Sequence, residues 1–145
     1  MIALFISAAI LSADLPHVSG AVNPAVTQAN IKQTVCVSGW TKTIRPPASY
    51  TNKLKLAQMK ALGLTGDPHL YEEDHLISLE IGGNPTSPNN LWPEPWNDAY
   101  GAHAKDRLEN ALKREVCSGK TTLAEAQHEI ATNWIASYQK RFGDK

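Results

Sequence analysis

One short region concentrates side chains able to do hydrolytic chemistry. It reads Tyr71-Glu72-Glu73-Asp74-His75-Leu76-Ile77-Ser78-Leu79-Glu80-Ile81-Gly82-Gly83, and Asn89-Asn90-Leu91-Trp92-Pro93-Glu94-Pro95 follows. Hydrolysis of an ester or phosphoester needs an activated water and relief of the charge that develops in the transition state. A neutral imidazole such as His75 can take a proton near pH 7. A carboxylate such as Asp74 can hold a divalent ion, a Lewis acid for the phosphate and the leaving oxygen. Neighbours on a strand point to opposite faces. Asp74 and His75 therefore serve one site only if the chain bends there, or if they approach it from different sides.

The order of these elements resembles the HNH endonuclease motif of the ββα-metal fold. In that motif an Asp-His pair ends a first strand, a Gly-Gly loop follows, an Asn-Leu opens a second strand, and a helix delivers a last His or Asn. His75 and Asn90 are 15 residues apart. The resemblance covers residues 71–109. The Arg45-Pro46-Pro47 segment, the two cysteines and the C-terminal helix are also similar to small exported bacterial proteins carrying this motif.

The resemblance implies a role for each residue. Asp74 is a metal ligand, His75 is the general base, and Asn90 pins the loop after the first strand through backbone hydrogen bonds. An amide suits that task because it both donates and accepts. His103, 13 residues past Asn90, is expected as the helix-side metal ligand, with Asn97 as its competitor. An Asp plus one imidazole leaves coordination positions for water and phosphate. That suits Mg²⁺ or Mn²⁺ and also admits Zn²⁺ or Ni²⁺. Arg45, Lys105 and Arg107 are expected to contact substrate phosphates. His103 and Arg107, four apart, share a helix face. Glu72, Glu73 and Glu80 flank the site, and Trp92 and Trp96 are read as packing residues.

The elements that must position these groups follow from pattern. Residues 31–40 are rich in β-branched and aromatic side chains and predict a short strand. Thr51 or Asn52 is expected to cap a helix running to about Leu62, with Leu54, Gln58, Ala61 and Leu62 on one face and Gly63 ending it. Residues 69–79 read as a strand region. Gly82-Gly83-Asn84-Pro85 must loop, and a short second strand from Asn89 is expected to stop at Pro93 and Pro95. Ala104, Leu108, Ala111, Leu112 and Val116 make one helical face. Thr122-Leu123-Ala124-Glu125 is a capping box for a last helix that buries Leu123, Ile130, Trp134 and Tyr138. The sum is an α+β domain: a ββα-metal core of short hairpin plus helix, with flanking helices.

Composition narrows the class. The chain has 145 residues, 14 basic and 14 acidic side chains, and 42% hydrophobic residues, which excludes a largely disordered chain and a uniformly basic coat. The charges are nevertheless blocked. Residues 32–66 hold six bases and no acid, residues 67–100 hold seven acids and no Lys or Arg, and residues 101–120 hold five bases and three acids. An acidic block between basic flanks fits a cation site beside an anion-binding surface.

The N-terminus reads as a targeting segment. An apolar run fills residues 2–11, too short for a bilayer span of about 20 residues but matching the core of a signal peptide. Residues 1–21 are expected to be removed by cleavage after Ala21, with cleavage after Ala13 as a second option, leaving one domain over residues 22–145 in the periplasm or medium. An even pair of cysteines in an exported domain is expected to form a disulfide, Cys36–Cys117. Closing a loop of about 80 residues stabilises by roughly 4.5 kcal/mol on the chain-entropy estimate.

These readings converge on an exported metal-dependent endonuclease acting on DNA, with RNA as an alternative substrate, and with little sequence specificity. No base-reading helix-turn-helix or zinc finger accompanies the site. Two rivals use the same residues. One is a non-catalytic, metal-stabilised nucleic-acid-binding module. The other is a metal-dependent hydrolase of a different substrate.

Overall fold

The computed structural model describes residues 15–144. The apolar run at residues 2–11 lies outside them. The only sheet among the described residues is an antiparallel hairpin of β1 (Tyr71–His75) and β2 (Leu91–Pro95). The described residues also form four α-helices: α1 (Trp40–Ile44), α2 (Ala48–Ala61), α3 (Ala102–Cys117) and α4 (Leu123–Phe142). The chain is thus α+β, and none of its described helices is long and apolar enough to cross a membrane.

A lone two-stranded hairpin is marginal in water, so its neighbours must stabilise it. Helix α2 does so with polar side chains. Lys55 Nζ donates to the carbonyls of Pro68 and Tyr71 at 2.9 and 3.0 Å, and Gln58 Nε2 donates to that of Leu91 at 2.8 Å. Helix α2 starts at Ala48, directly after Pro47, three residues before the expected cap, because Pro47 already holds the extended geometry of an N-cap. Ala61 and Leu62 of its expected apolar face are exposed, and Met59 is its buried residue.

Strand β2 continues through Pro93 and Pro95 rather than stopping there. Leu76 N donates to Asn90 O at 2.8 Å and Trp96 N to Leu70 O at 3.0 Å, which places the hydrogen-bonded pairs at even-numbered residues. Pro93 and Pro95 fall between them, where an N–H would point away from β1. Strand β1 is shorter than expected. After Leu76 the chain turns into the loop held by Asn90, and residues 79–81 form a 3₁₀ turn. The strand expected at residues 31–40 is absent. Those residues form a 3₁₀ turn over Gln28–Gln33, local turns and the start of α1, since no neighbouring strand offers them a ladder.

The core lies between α3, α4 and the loop after β1. Leu108, Leu112 and Val116 of α3 meet Ile130, Trp134 and Tyr138 of α4, with Leu76, Ile77 and Ile81 closing one end. Thr122 Oγ1 accepts from Glu125 N and the Glu125 carboxylate accepts from Thr122 N, the expected capping box. Asn133 breaks α4 at φ −163°, ψ 90°, and its Oδ1 accepts from Ala136 N at 3.0 Å, capping the second segment. Cys36 and Cys117 form a disulfide with Cα atoms 5.7 Å apart, tying the N-terminal turns to the end of α3.

Residues 20–23 belong to this folded body. Gly20 N donates to Asn89 O at 2.9 Å, Asn23 N to Gly82 O at 2.8 Å, and Asn84 N to Ala21 O at 2.8 Å. Val22 bridges Gly83 in antiparallel fashion. A cut after Ala21 would remove two of the residues that hold this loop.

Candidate metal and acid-base site

Asn90 is fully buried and organises the loop between the strands. Its Nδ2 donates to Ile77 O at 3.0 Å and to Asn84 O at 2.9 Å. Its Oδ1 accepts from Ile77 N at 2.9 Å and from Ala21 N at 3.3 Å. Gly83 makes this closure possible, because a Cβ there would lie 1.7 Å from Ile77 O.

The loop in turn fixes His75. The His75 Nε2 lies 2.9 Å from Pro85 O. A carbonyl only accepts, so Nε2 carries the proton and the lone pair sits on Nδ1. His75 is 6% exposed. Burial pushes its pKa below the ordinary histidine value, against the hydrogen bond to Pro85 and the charge of Asp74. The ring is therefore a neutral imidazole at pH 7, the form a general base requires.

Strand alternation divides the chemistry of β1. The odd-numbered Tyr71, Glu73 and His75 line a cleft of about 370 Å³ against α2, together with Arg45, Lys55, Trp96 and the edge of Glu72. The even-numbered Glu72 and Asp74 meet Glu94, which the register places directly opposite Glu72. Candidate ligand oxygens of Glu72, Asp74 and Glu94 all lie within 4.8 Å of one another.

Helix α3 supplies the counter-charge. Lys105 is fully buried, and its Nζ stands 2.7 Å from Asp74 Oδ2, 2.5 Å from Glu109 Oε1 and 2.7 Å from His75 O. Burial alone would lower the Lys105 pKa, but Asp74, Glu109 and Glu94 outweigh it and keep the ammonium charged. One ammonium does not balance the cluster. Glu72, Asp74, Glu94 and Glu109 would carry four negative charges against it, a net of −3 if all were ionised.

Glu94 is 0% exposed, and no hydrogen-bond donor among the described residues reaches either of its oxygens. Burial and the neighbouring Asp74 push its pKa to about 11. Glu72 is pushed to about 8, chiefly by burial and then by Asp74. Glu109 also reaches about 8, through burial only partly offset by Lys105. The cluster thus holds either protons or a cation. A hard divalent ion fits the all-oxygen donor set and would complete the orphaned Glu94 oxygens.

The helix-side expectations need correction. His103 is exposed, stacks on Trp96 with ring centroids 5.3 Å apart, and lies outside the carboxylate cluster. Arg107 reaches the other way, its guanidinium 4.1 Å from the Phe142 ring centroid. Lys105 is not available to substrate phosphate, since it is buried among Asp74, Glu109 and His75 O. The cause is helical phase. Residues two apart are rotated by roughly 200°, so Lys105 and Glu109 face the strands while His103 and Arg107 face away. Asn97 is exposed in the segment before α3, outside the cluster. Arg45 is exposed at the cleft mouth.

Sequence reasoning missed Glu94 and Glu109 and left Glu72 at the margin. The signal for the first and third was present: period-two alternation puts Glu72 beside Asp74, and antiparallel pairing sets Glu94 across from them. Glu109 was legible as the i+4 partner of Lys105. No protein-family model, curated protein or solved structure matches this chain.

Proposed function

We propose that this chain is a metal-dependent nuclease of the HNH, ββα-metal type that hydrolyses phosphodiester bonds in DNA, and in RNA as a second substrate. The observation that carries the reading is His75, a buried neutral imidazole whose tautomer is set by Pro85 O, next in sequence to Asp74 of a carboxylate cluster with orphaned oxygens on the other face of the same strand. His75 Nδ1 takes the proton of the attacking water. Asn90 keeps His75 in place through the loop it closes. Glu72, Asp74 and Glu94 would hold the divalent ion, with Mg²⁺ or Mn²⁺ preferred by carboxylates and Zn²⁺ or Ni²⁺ as alternatives. When bound, the ion supplies Lewis-acid stabilisation of the phosphate and the leaving oxygen. Lys105 holds Asp74 and the His75 carbonyl from behind.

The Cys36–Cys117 disulfide agrees with an oxidising compartment and hence with export. One observation favours a second reading, a non-catalytic binding module: the Lys105 ammonium already sits on Asp74, where a resident cation is needed. Incubation of the purified protein with plasmid and with single-stranded DNA separates the two. The assay runs across Mg²⁺, Mn²⁺, Zn²⁺ and Ni²⁺, with and without EDTA. Metal-dependent, EDTA-sensitive cleavage supports the nuclease; binding without cleavage in every metal supports the module.

A further inference from the structure

The cleft on the odd-numbered side of β1 carries features the hydrolytic site does not use. Its volume of about 370 Å³ is near the lower end of small-ligand pockets, roughly 300–1,000 Å³. Arg45 stands at the mouth, exposed, and no carboxylate pairs with it among the described residues. Trp96 forms one wall, half-buried, with the exposed His103 ring tilted 39° against it. Asn52 of α2 contributes an amide. Both oxygens of Glu73 are buried without a hydrogen-bond donor. His75 lies within the lining, only 6% exposed.

Each feature matches part of an unpaired nucleotide. An indole backed by an imidazole offers a stacking surface that any base can use. A free guanidinium at the rim suits a backbone phosphate, which it can bind through two parallel N–H donors. The space holds one nucleotide unit, not a stacked pair of strands. A phosphate must also sink below the rim to approach His75, which a flexible single strand allows more readily than a stiff duplex.

We propose that this cleft is a single-strand subsite, in which one unpaired base stacks on Trp96 while an adjacent phosphate rests on Arg45. The proposal rests on the nuclease reading only for its placement of the scissile bond, and its test is a binding measurement without metal. The full chain, in excess EDTA, is titrated into fluorescein-labelled oligothymidine and into the same strand annealed to its complement, at several salt concentrations. The single strand is expected to bind at least about tenfold more tightly than the duplex. Trp96→Ala should weaken single-strand binding roughly 5- to 150-fold, as one lost base stack does, with an unchanged salt slope. Trp96→Phe should recover most of that affinity, which separates stacking from a folding defect. Arg45→Ala should instead flatten the log–log salt dependence by about 0.7, one phosphate contact on a single strand. Duplex binding as tight as single-strand binding overturns the subsite. So does a Trp96→Ala variant, folded by circular dichroism, that keeps full affinity. Tight single-strand binding with no cleavage in any metal would sink the nuclease reading and leave the subsite standing.

Discussion

The side chain of Asn90 closes on both polar groups of Ile77, accepting from its N–H at 2.9 Å and donating to its carbonyl at 3.0 Å. One amide thus imitates a strand neighbour at the point where β1 ends. The same Nδ2 also donates to Asn84 O, one residue before the Pro85 carbonyl that accepts the hydrogen bond from His75 Nε2. Asn90→Ala would leave buried backbone groups of Ile77 and Asn84 unsatisfied, each at a cost of about 1–3 kcal/mol. A destabilisation of about 3 kcal/mol or more in urea unfolding is expected. A loss under 1 kcal/mol would show that the loop does not depend on this amide.

The N-terminal strap gives a second test. A chain beginning at Val22 loses the Gly20–Asn89, Asn84–Ala21 and Ala21–Asn90 hydrogen bonds. At about 1 kcal/mol net for each, it should be less stable than a chain beginning at Leu15 by about 2–3 kcal/mol. If the chain is processed on export, the mature form is accordingly expected to retain Gly20 and Ala21, which intact mass measurement reads directly. A mature mass starting at Val22 would contradict this.

Most of the helical frame was legible because its signals are local. The capping box at Thr122, the apolar face of α3 and the left-handed Gly63 behind α2 depend only on nearby residues. The disulfide followed from an even cysteine count. What stayed hidden was relational. The phase of α3 against the hairpin decides that Lys105, not His103, faces Asp74, and a two-residue error reverses the faces. The strand through Pro93 and Pro95 depends on which N–H groups the pairing register leaves unused. The false strand at residues 31–40 shows β propensity overruled where no partner strand exists.

Glu94 and Lys105 should respond oppositely to substitution. Without metal, Glu94 keeps its proton at pH 7, so Glu94→Gln should change stability by no more than about 0.5 kcal/mol. It should, however, reduce the thermal stabilisation by Mn²⁺ at a fixed concentration, which in the wild type reaches about 2.7 kcal/mol at a hundredfold excess over Kd. Lys105→Met strands Asp74 as a buried charge and should cost about 3–5 kcal/mol without metal. Its Mn²⁺-induced shift in Tm should exceed that of the wild type, because the cluster then lacks its resident cation. Equal Mn²⁺ shifts in all three proteins would place the ion elsewhere.

Stability should fall in acid through Glu115. Burial pulls its pKa up, but hydrogen bonds from Arg141 and Lys120 outweigh that and leave it below the ordinary 4.5. Arg141 lies 2.7 Å from Glu115 and 2.8 Å from Glu129. A depressed carboxylate stabilises fully above its unfolded pKa and loses that contribution as pH falls through the folded one. The wild type should exceed Glu115→Gln by about 1 kcal/mol at neutral pH, the scale of a partly exposed pair. That gap should hold down to about pH 5 and close below 4.5. A gap that widens on acidification would reverse the assigned sign.

The proposed division of labour between His75 as base and the carboxylates as metal ligands is tested by the rate of single-stranded DNA cleavage against Mn²⁺ concentration, compared for wild type, His75→Ala and Glu94→Gln. His75→Ala should lower the saturated rate about 10²- to 10⁴-fold with the Mn²⁺ midpoint unchanged, the loss typical of a missing general base. Glu94→Gln should shift the midpoint to higher Mn²⁺ and recover rate as the metal is raised. A His75→Ala enzyme that keeps the wild-type rate at saturating Mn²⁺ would contradict the assignment of His75 as the base.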